Sequence, residues 1–166
     1  MSVRVDGVEV AAPTDPAASL LAFLRYGAGL TVVKDGCSQG RCGACSVLVE
    51  DTLVTACTVL AADADGCVVT TAAGLTTPSG PSDLQRAFLD AGAVQCGFCT
   101  PGMVVAAHEL LARVPDPSPA QVRQALAGNL CRCTGYGRIV AAVCTVAALR
   151  RSSGGQLGDP TPAQVR

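Results

Sequence analysis

The residues best able to do chemistry in this 166-residue chain are its cysteines, ten in all. Eight of them fall into two sets of four. The first set, Cys37, Cys42, Cys45 and Cys57, has a C-x4-C-x2-C run with a fourth cysteine beyond it. That is a spacing with which four thiolates hold a [2Fe–2S] cluster. The second set, Cys96, Cys99, Cys131 and Cys133, is a C-x2-C pair followed far downstream by C-x-C. Two close pairs suit either an iron–sulfur cluster or a zinc ion, and spacing alone leaves both open. One cluster would make an electron carrier. Two in series would make a short wire, and a wire implies redox partners at both ends.

Each set needs a loop that wraps tightly and aims backbone N–H groups at sulfur. Gly36, Gly40 and Gly43 surround the first three ligands. Glycine reaches the φ values such a loop demands. Its N–H groups offset the roughly −2 charge of an oxidised four-thiolate cluster and help set its potential. Zinc would show two close pairs rather than this triplet. In the second set, Cys96 and Cys99 precede one expected helix, while Cys131 and Cys133 lie between two others. The four thiols can then meet at one end of a helical bundle.

The positioning elements are legible in outline. Val3, Val5, Val8 and Val10 flank Asp6-Gly7, a hairpin signal. Leu20, Leu21, Phe23 and Leu24 suggest a short helix after Asp15-Pro16. Val47 and Val49 alternate, the chain turns near Glu50–Thr52, and Val54 leads to Cys57; Val68–Thr71 is the last strand candidate. These short strands, one helix and a glycine-rich loop predict a ferredoxin-like β-grasp sheet. TTPSGP at 76–81 reads as a linker. Beyond it the pattern turns helical. Ser82-x-x-Gln85 is a capping box, Thr100-Pro101 an N-cap with proline following, and Ser118-Pro119-x-Gln121 another capped start; Gly128 reads as a stop. A fourth helix is expected near Gly137, burying Ile139, Val140, Val143 and Val146. The fold class is therefore α+β. The expected layout is a ferredoxin-like unit at 1–75, a linker at 76–81, a four-helix unit at 82–150 and a flexible tail at 151–166.

Composition narrows the function. A net charge of −1 argues against nucleic acid, since phosphate binding needs a basic surplus. Charged residues make up 15%, against about 25% in an ordinary soluble domain. This fits either surface hidden against other subunits or a compact alanine-rich protein. The start, MSVRVDGVEV, has no apolar signal region, and the apolar stretch Ile139–Leu149 is too short to span a bilayer. Clustered thiols then point to a reducing cytoplasm and to metal chemistry rather than disulfides. No phosphate-binding glycine fingerprint and no Ser/His/Asp set is present. The single histidine, His108, cannot supply the two ligands of a Rieske site. It reads as structural or exposed. Cys67 and Cys144 are left over, the latter as a buried small apolar residue. Arg41 and Arg132 lie inside the cysteine motifs, where they either offset cluster charge, touch a partner, or simply sit exposed beside a loop. Phe98 reads as shielding or interface packing.

CSQGRCGAC, QCGFCTPG and GNLCRCTGY, in that order, resemble the iron–sulfur subunit of the molybdenum hydroxylases, the family of xanthine dehydrogenase, aldehyde oxidoreductase and carbon monoxide dehydrogenase. The resemblance covers roughly residues 3–150. It implies a second [2Fe–2S] cluster on Cys96, Cys99, Cys131 and Cys133. It also implies a plant-ferredoxin-like domain followed by a four-helix domain. The expected partners are a large molybdopterin-binding subunit and a medium FAD-binding subunit, in a hetero-oligomer such as a dimer of heterotrimers. Electrons would pass from molybdenum to the helical cluster, to the ferredoxin-like cluster and to FAD. Gln95 and Cys133 would contact the pterin. Oxidation of a purine or other N-heterocycle, an aldehyde or carbon monoxide all fit, with N-heterocycles preferred. The chain departs from the family in reading Glu50-Asp51-Thr52 where an Asp-Gly turn is common, so Asp51 is expected to carry φ > 0. Ser38-Gln39 replaces a frequent acidic residue after the first ligand. The alternatives are a free-standing two-cluster ferredoxin and a zinc-stabilised interaction module.

Overall fold

In the computed structural model, the structure describes residues 2–11, 15 and 17–153. The N-terminal hairpin forms as the valine alternation requires. Strand β1 (Ser2–Val5) pairs antiparallel with β2 (Val8–Ala11), and Asp6 (φ 50°) and Gly7 (φ 84°) make the left-handed turn. Val3 and Val5 are buried, but Val8 is 64% exposed because β2 is the edge of the sheet. The Pro16 part of the expected helix start lies outside the described residues. Helix α1 (Leu20–Ala22) is capped by Ser19 and runs into a π-helical turn over Phe23–Gly27.

Strands β3 (Ser46–Val49) and β4 (Thr52–Thr55) form the second hairpin. Its turn puts Glu50 (φ 48°) as well as Asp51 (φ 62°) in the left-handed region, one residue more than expected. Strand β5 (Val68–Thr70) completes a five-stranded sheet of order β2-β1-β5-β3-β4. β5 runs parallel to β1 and antiparallel to β3.

Four longer helices follow: α2 (Asp83–Asp90), α3 (Thr100–Arg113), α4 (Pro119–Ala125) and α5 (Gly137–Ser152). Both capping boxes are present, Ser82 with Gln85 and Ser118 with Gln121. Two end signals are displaced. Cys99, not Thr100, is the N-cap of α3, and Leu126 caps α4, so Gly128 is no helix stop. α5 runs on to Ser152; the remainder of the expected tail, 154–166, lies outside the described residues.

Among the described residues there are two apolar cores, and β3 belongs to both. Val47 packs with Val3, Leu20, Leu24 and Val69, whereas Leu48 joins Phe88, Met103, Leu110, Ile139 and Val143. Successive strand side chains point to opposite faces, so one face of β3 closes the β-grasp core and the other lies on α3. No helix among the described residues is long and apolar enough to cross a membrane.

Candidate metal centres

The β3–β4 hairpin builds half of the first site. Its register sets Ser46 opposite Thr55, so Cys45, just before β3, comes opposite Ala56 and beside Cys57, which follows β4. The Ala56 amide donates to the Cys45 carbonyl at 3.2 Å. Cys37 and Cys42 come from the preceding loop, which Ser38 (φ 51°), Gly40 (φ 70°) and Gly43 (φ 67°) fold back on itself. Gln39 N–H donates to Cys37 Sγ at 3.4 Å, and Gly40 N–H to Cys57 Sγ at 3.1 Å. The thiols meet in two pairs, Cys37 with Cys42 and Cys45 with Cys57. The amides of Gln39 and Arg41 and the Cys42 thiol lower the Cys37 thiol to about 7. Burial pushes Cys42 up and Cys45 to about 12.

The second site lies where two inter-helix loops converge. Cys96 and Cys99 come from the α2–α3 loop, Cys131 and Cys133 from the α4–α5 loop. Cys133 Sγ is 3.6 Å from Cys96 Sγ, and Cys99 pairs with Cys131. Burial and the adjoining Cys131 thiol push Cys99 up to about 12. Burial works against ionisation of Cys131 too. The Thr134 hydroxyl (3.1 Å) and amide (3.5 Å) outweigh it and bring the thiol down to about 7. Tyr136 ties the loop together. Its hydroxyl accepts from Cys131 N–H at 2.8 Å and donates to the Asn129 carbonyl at 3.0 Å, while its own backbone is left-handed (φ 66°).

The donor sets suit a two-iron core. With a metal–sulfur bond of about 2.3 Å, a tetrahedral edge between two thiolates is about 3.8 Å, close to the Cys96–Cys133 separation of 3.6 Å. The thiols stand two and two in each site, with N–H donors aimed at sulfur. Thiolates so arranged can bind one iron per pair.

The two sites share a joint. Leu130 N–H donates to the Cys42 carbonyl at 2.8 Å, one residue before Cys131. The buried Asn129 amide donates to the Gly43 carbonyl (2.9 Å) and to Ser46 Oγ (3.1 Å). Phe98, from the second loop, reaches the first: a Cβ placed on Gly36 would lie 3.4 Å from its ring. Each site also opens to solvent. Gln95, Cys96, Phe98, Leu130 and Cys133 form an exposed rim on one, and Ser38, Gln39, Gly40 and Arg41 on the other. Arg132 is exposed as well. His108 and Cys144 are half-buried in the helical half, and Cys67 lies beside the Asp63 and Asp65 carbonyls; none joins either site. Asn129, Thr134 and Tyr136 were not anticipated. Their only sequence signal was membership of GNLCRCTGY.

The chain matches two family models, the 2Fe-2S iron-sulfur cluster binding domain over residues 3–79 and the [2Fe-2S] binding domain over residues 71–144. It is 48% identical over 143 residues to the nicotinate dehydrogenase small FeS subunit of Eubacterium barkeri, covering 86% of this chain and 91% of that one. It is 45% identical over 147 residues to a probable xanthine dehydrogenase subunit of Bacillus subtilis (strain 168), covering 88% of this chain and 83% of that one. Among solved structures, quinoline 2-oxidoreductase from Pseudomonas putida 86 superposes with a TM-score of 0.87 at 38% identity, covering 93% of this chain and 96% of that one. Aldehyde oxidoreductase from Desulfovibrio gigas gives 0.86 at 42% identity, covering 92% of this chain and 17% of that one.

Proposed function

Because the chain belongs to the small iron–sulfur subunits of the molybdenum hydroxylases, we propose that it conducts electrons from its helical site to its β-grasp site. Cys96, Cys99, Cys131 and Cys133 hold one [2Fe–2S] cluster, and Cys37, Cys42, Cys45 and Cys57 the other. When bound, the clusters supply one-electron storage at each site. The chain does the rest: it orients eight thiolates, aims N–H groups at sulfur, and joins the two sites. The observation that carries the reading is the Leu130–Cys42 hydrogen bond of 2.8 Å. It closes a short backbone route from Cys131 of one ligand set to Cys42 of the other.

The exposed rims supply the two ends of the route. The rim of Gln95, Cys96, Phe98, Leu130 and Cys133 mixes apolar surface with thiol and amide groups. It suits docking against a large molybdopterin-binding subunit, with Gln95 and Cys133 touching the pterin. The other rim, from Ser38 to Arg41, suits docking against a medium FAD-binding subunit. We assign the assembly to the cytoplasm on the strength of its clustered thiols without disulfides, and to a hetero-oligomer, such as a dimer of heterotrimers, because its relatives are named as subunits. Two relatives are named for nicotinate and xanthine and one structural neighbour for quinoline. All three are N-heteroaromatics, and we assign that class of substrate to the whole assembly.

The test is iron and sulfide analysis of the purified chain with EPR after dithionite reduction. About four irons and two distinguishable S = 1/2 signals are expected. Two irons with a single signal, or zinc in the second site, would overturn the electron path.

A further inference from the structure

Resting on that electron path, we infer that Asn129 is the positioning residue that holds the two centres in electronic contact. Asn129 belongs to neither ligand set, yet its side chain is 4% exposed and lies between the two halves of the molecule. Its Nδ2 donates to the Gly43 carbonyl at 2.9 Å and to Ser46 Oγ at 3.1 Å. The Ser46 hydroxyl itself donates to the same Gly43 carbonyl at 2.8 Å. Gly43 stands between Cys42 and Cys45 of one set, and Asn129 stands two residues before Cys131 of the other. A buried amide with two cross-molecule bonds fixes position far better than apolar packing, because either bond made badly leaves a polar group unsatisfied.

The fit leaves no room for extra atoms. A Cβ on Gly43 would lie 2.5 Å from the Gly128 carbonyl and 2.6 Å from Asn129 Nδ2. A Cβ on Gly102 of α3 would lie 2.2 Å from the Gly43 carbonyl. Backbone from three places thus closes on one peptide group, and the Asn129 amide locks it. The Leu130 amide follows Asn129 directly and donates to the Cys42 carbonyl. The clasp therefore sets the length of the non-covalent step on the route between the ligand sets. Packing would hold the halves together without Asn129, but would not hold that amide and carbonyl in register.

The experiment is EPR of the fully reduced protein, purified with its partner subunits, at temperatures where magnetic splitting between two reduced centres is resolved. In Asn129→Ala the splitting is expected to be lost while each centre keeps its own g-values and the iron content stays at the unmodified level. Gly102→Ala tests the same joint from α3 with the Asn129 residue kept. Alanine suits a helical backbone, so its steric effect falls first on the Gly43 carbonyl, at 2.2 Å, and next on Asn129 Nδ2, at 3.2 Å, and the same loss is expected. Splitting retained in Gly102→Ala, or in an Asn129→Ala protein of full iron content, would overturn the role. Should Asn129→Ala fail to assemble, Asn129→Ser, which keeps a short donor, is expected to restore iron content and part of the splitting. Assembly without recovered splitting would also overturn it. No splitting in the unmodified protein would likewise overturn the role, whereas about two irons with a single signal there would instead sink the electron path.

Discussion

The Gly40 amide donates to Cys57 Sγ at 3.1 Å, although the two residues stand seventeen positions apart. The bond needs Gly40 at φ 70°, and a Cβ there would lie 2.8 Å from Thr58 Cγ2. Gly40→Ala therefore meets both left-handed strain, about 1–2 kcal/mol, and a clash. The expected outcome is selective loss of the first cluster. Iron falls by about half and one EPR signal disappears, while the signal of the helical site stays. Loss of both signals together would show that the two sites do not assemble independently.

Cys133→Ser keeps the size of the ligand but replaces a soft thiolate with a poorly ionised hydroxyl. Cys133 is exposed and 3.6 Å from Cys96. The second cluster's g-values should shift or its signal vanish, with the first unchanged. Turnover with the physiological acceptor should fall by at least about tenfold, which corresponds to roughly 1.4 kcal/mol in the limiting barrier. Unaltered spectra and turnover would exclude Cys133 as a ligand.

Phe98 sits in the second cysteine motif but its ring lies against Gly36, next to Cys37 of the first. Phe98→Ala is expected to let water reach the first site. Water favours the more negative reduced state, so the first cluster's potential should rise, by roughly 50 mV, equivalent to about 1 kcal/mol for one electron. An EPR-monitored redox titration of each signal checks this. A shift confined to the second cluster would count against a shield that crosses between the halves.

Arg150 of α5 donates to both carboxylate oxygens of Asp83 at the start of α2, at 2.7 and 2.9 Å. Burial alone would raise the Asp83 carboxyl; Arg150, with the Leu84 amide and the nearby His108, outweighs it and holds the group below its usual range. A carboxyl depressed in the folded state contributes stability above its unfolded pKa, about 3.9, and loses it as pH falls through the folded value. Asp83→Asn should therefore cost about 2 kcal/mol at neutral pH. In thermal melts the gap to the unmodified chain should narrow as pH drops below about 4. A gap independent of pH would assign the effect to helix capping rather than to the ion pair.

Much of this protein could be read along the chain because its chemistry is written in local spacing. The cysteine loop Cys37–Cys45 and both capping boxes depend on residues a few positions apart, and local backbone geometry determines what such residues can do. The valine alternation identified β1 and β3 for the same reason. The residues by themselves left the second set open between iron and zinc, since four thiols brought together from distant loops have no local geometry to read.

What only the tertiary structure decided is how the halves meet. Leu48 enters the helical core because α3 covers the second face of β3, a burial that the Val47/Val49 alternation does not announce. Gly128 resembles a helix stop in sequence, yet its carbonyl faces Gly43 across the joint. Asn129 and Leu130 look like ordinary loop residues until the fold sets them 86 and 88 positions downstream against Gly43 and Cys42. Hydrogen bonds across such distances depend on the packing of whole elements, because neither partner has a neighbour in sequence that fixes its direction. The cysteines were present in the sequence; the hydrogen bonds that join the two sites exist only in the fold.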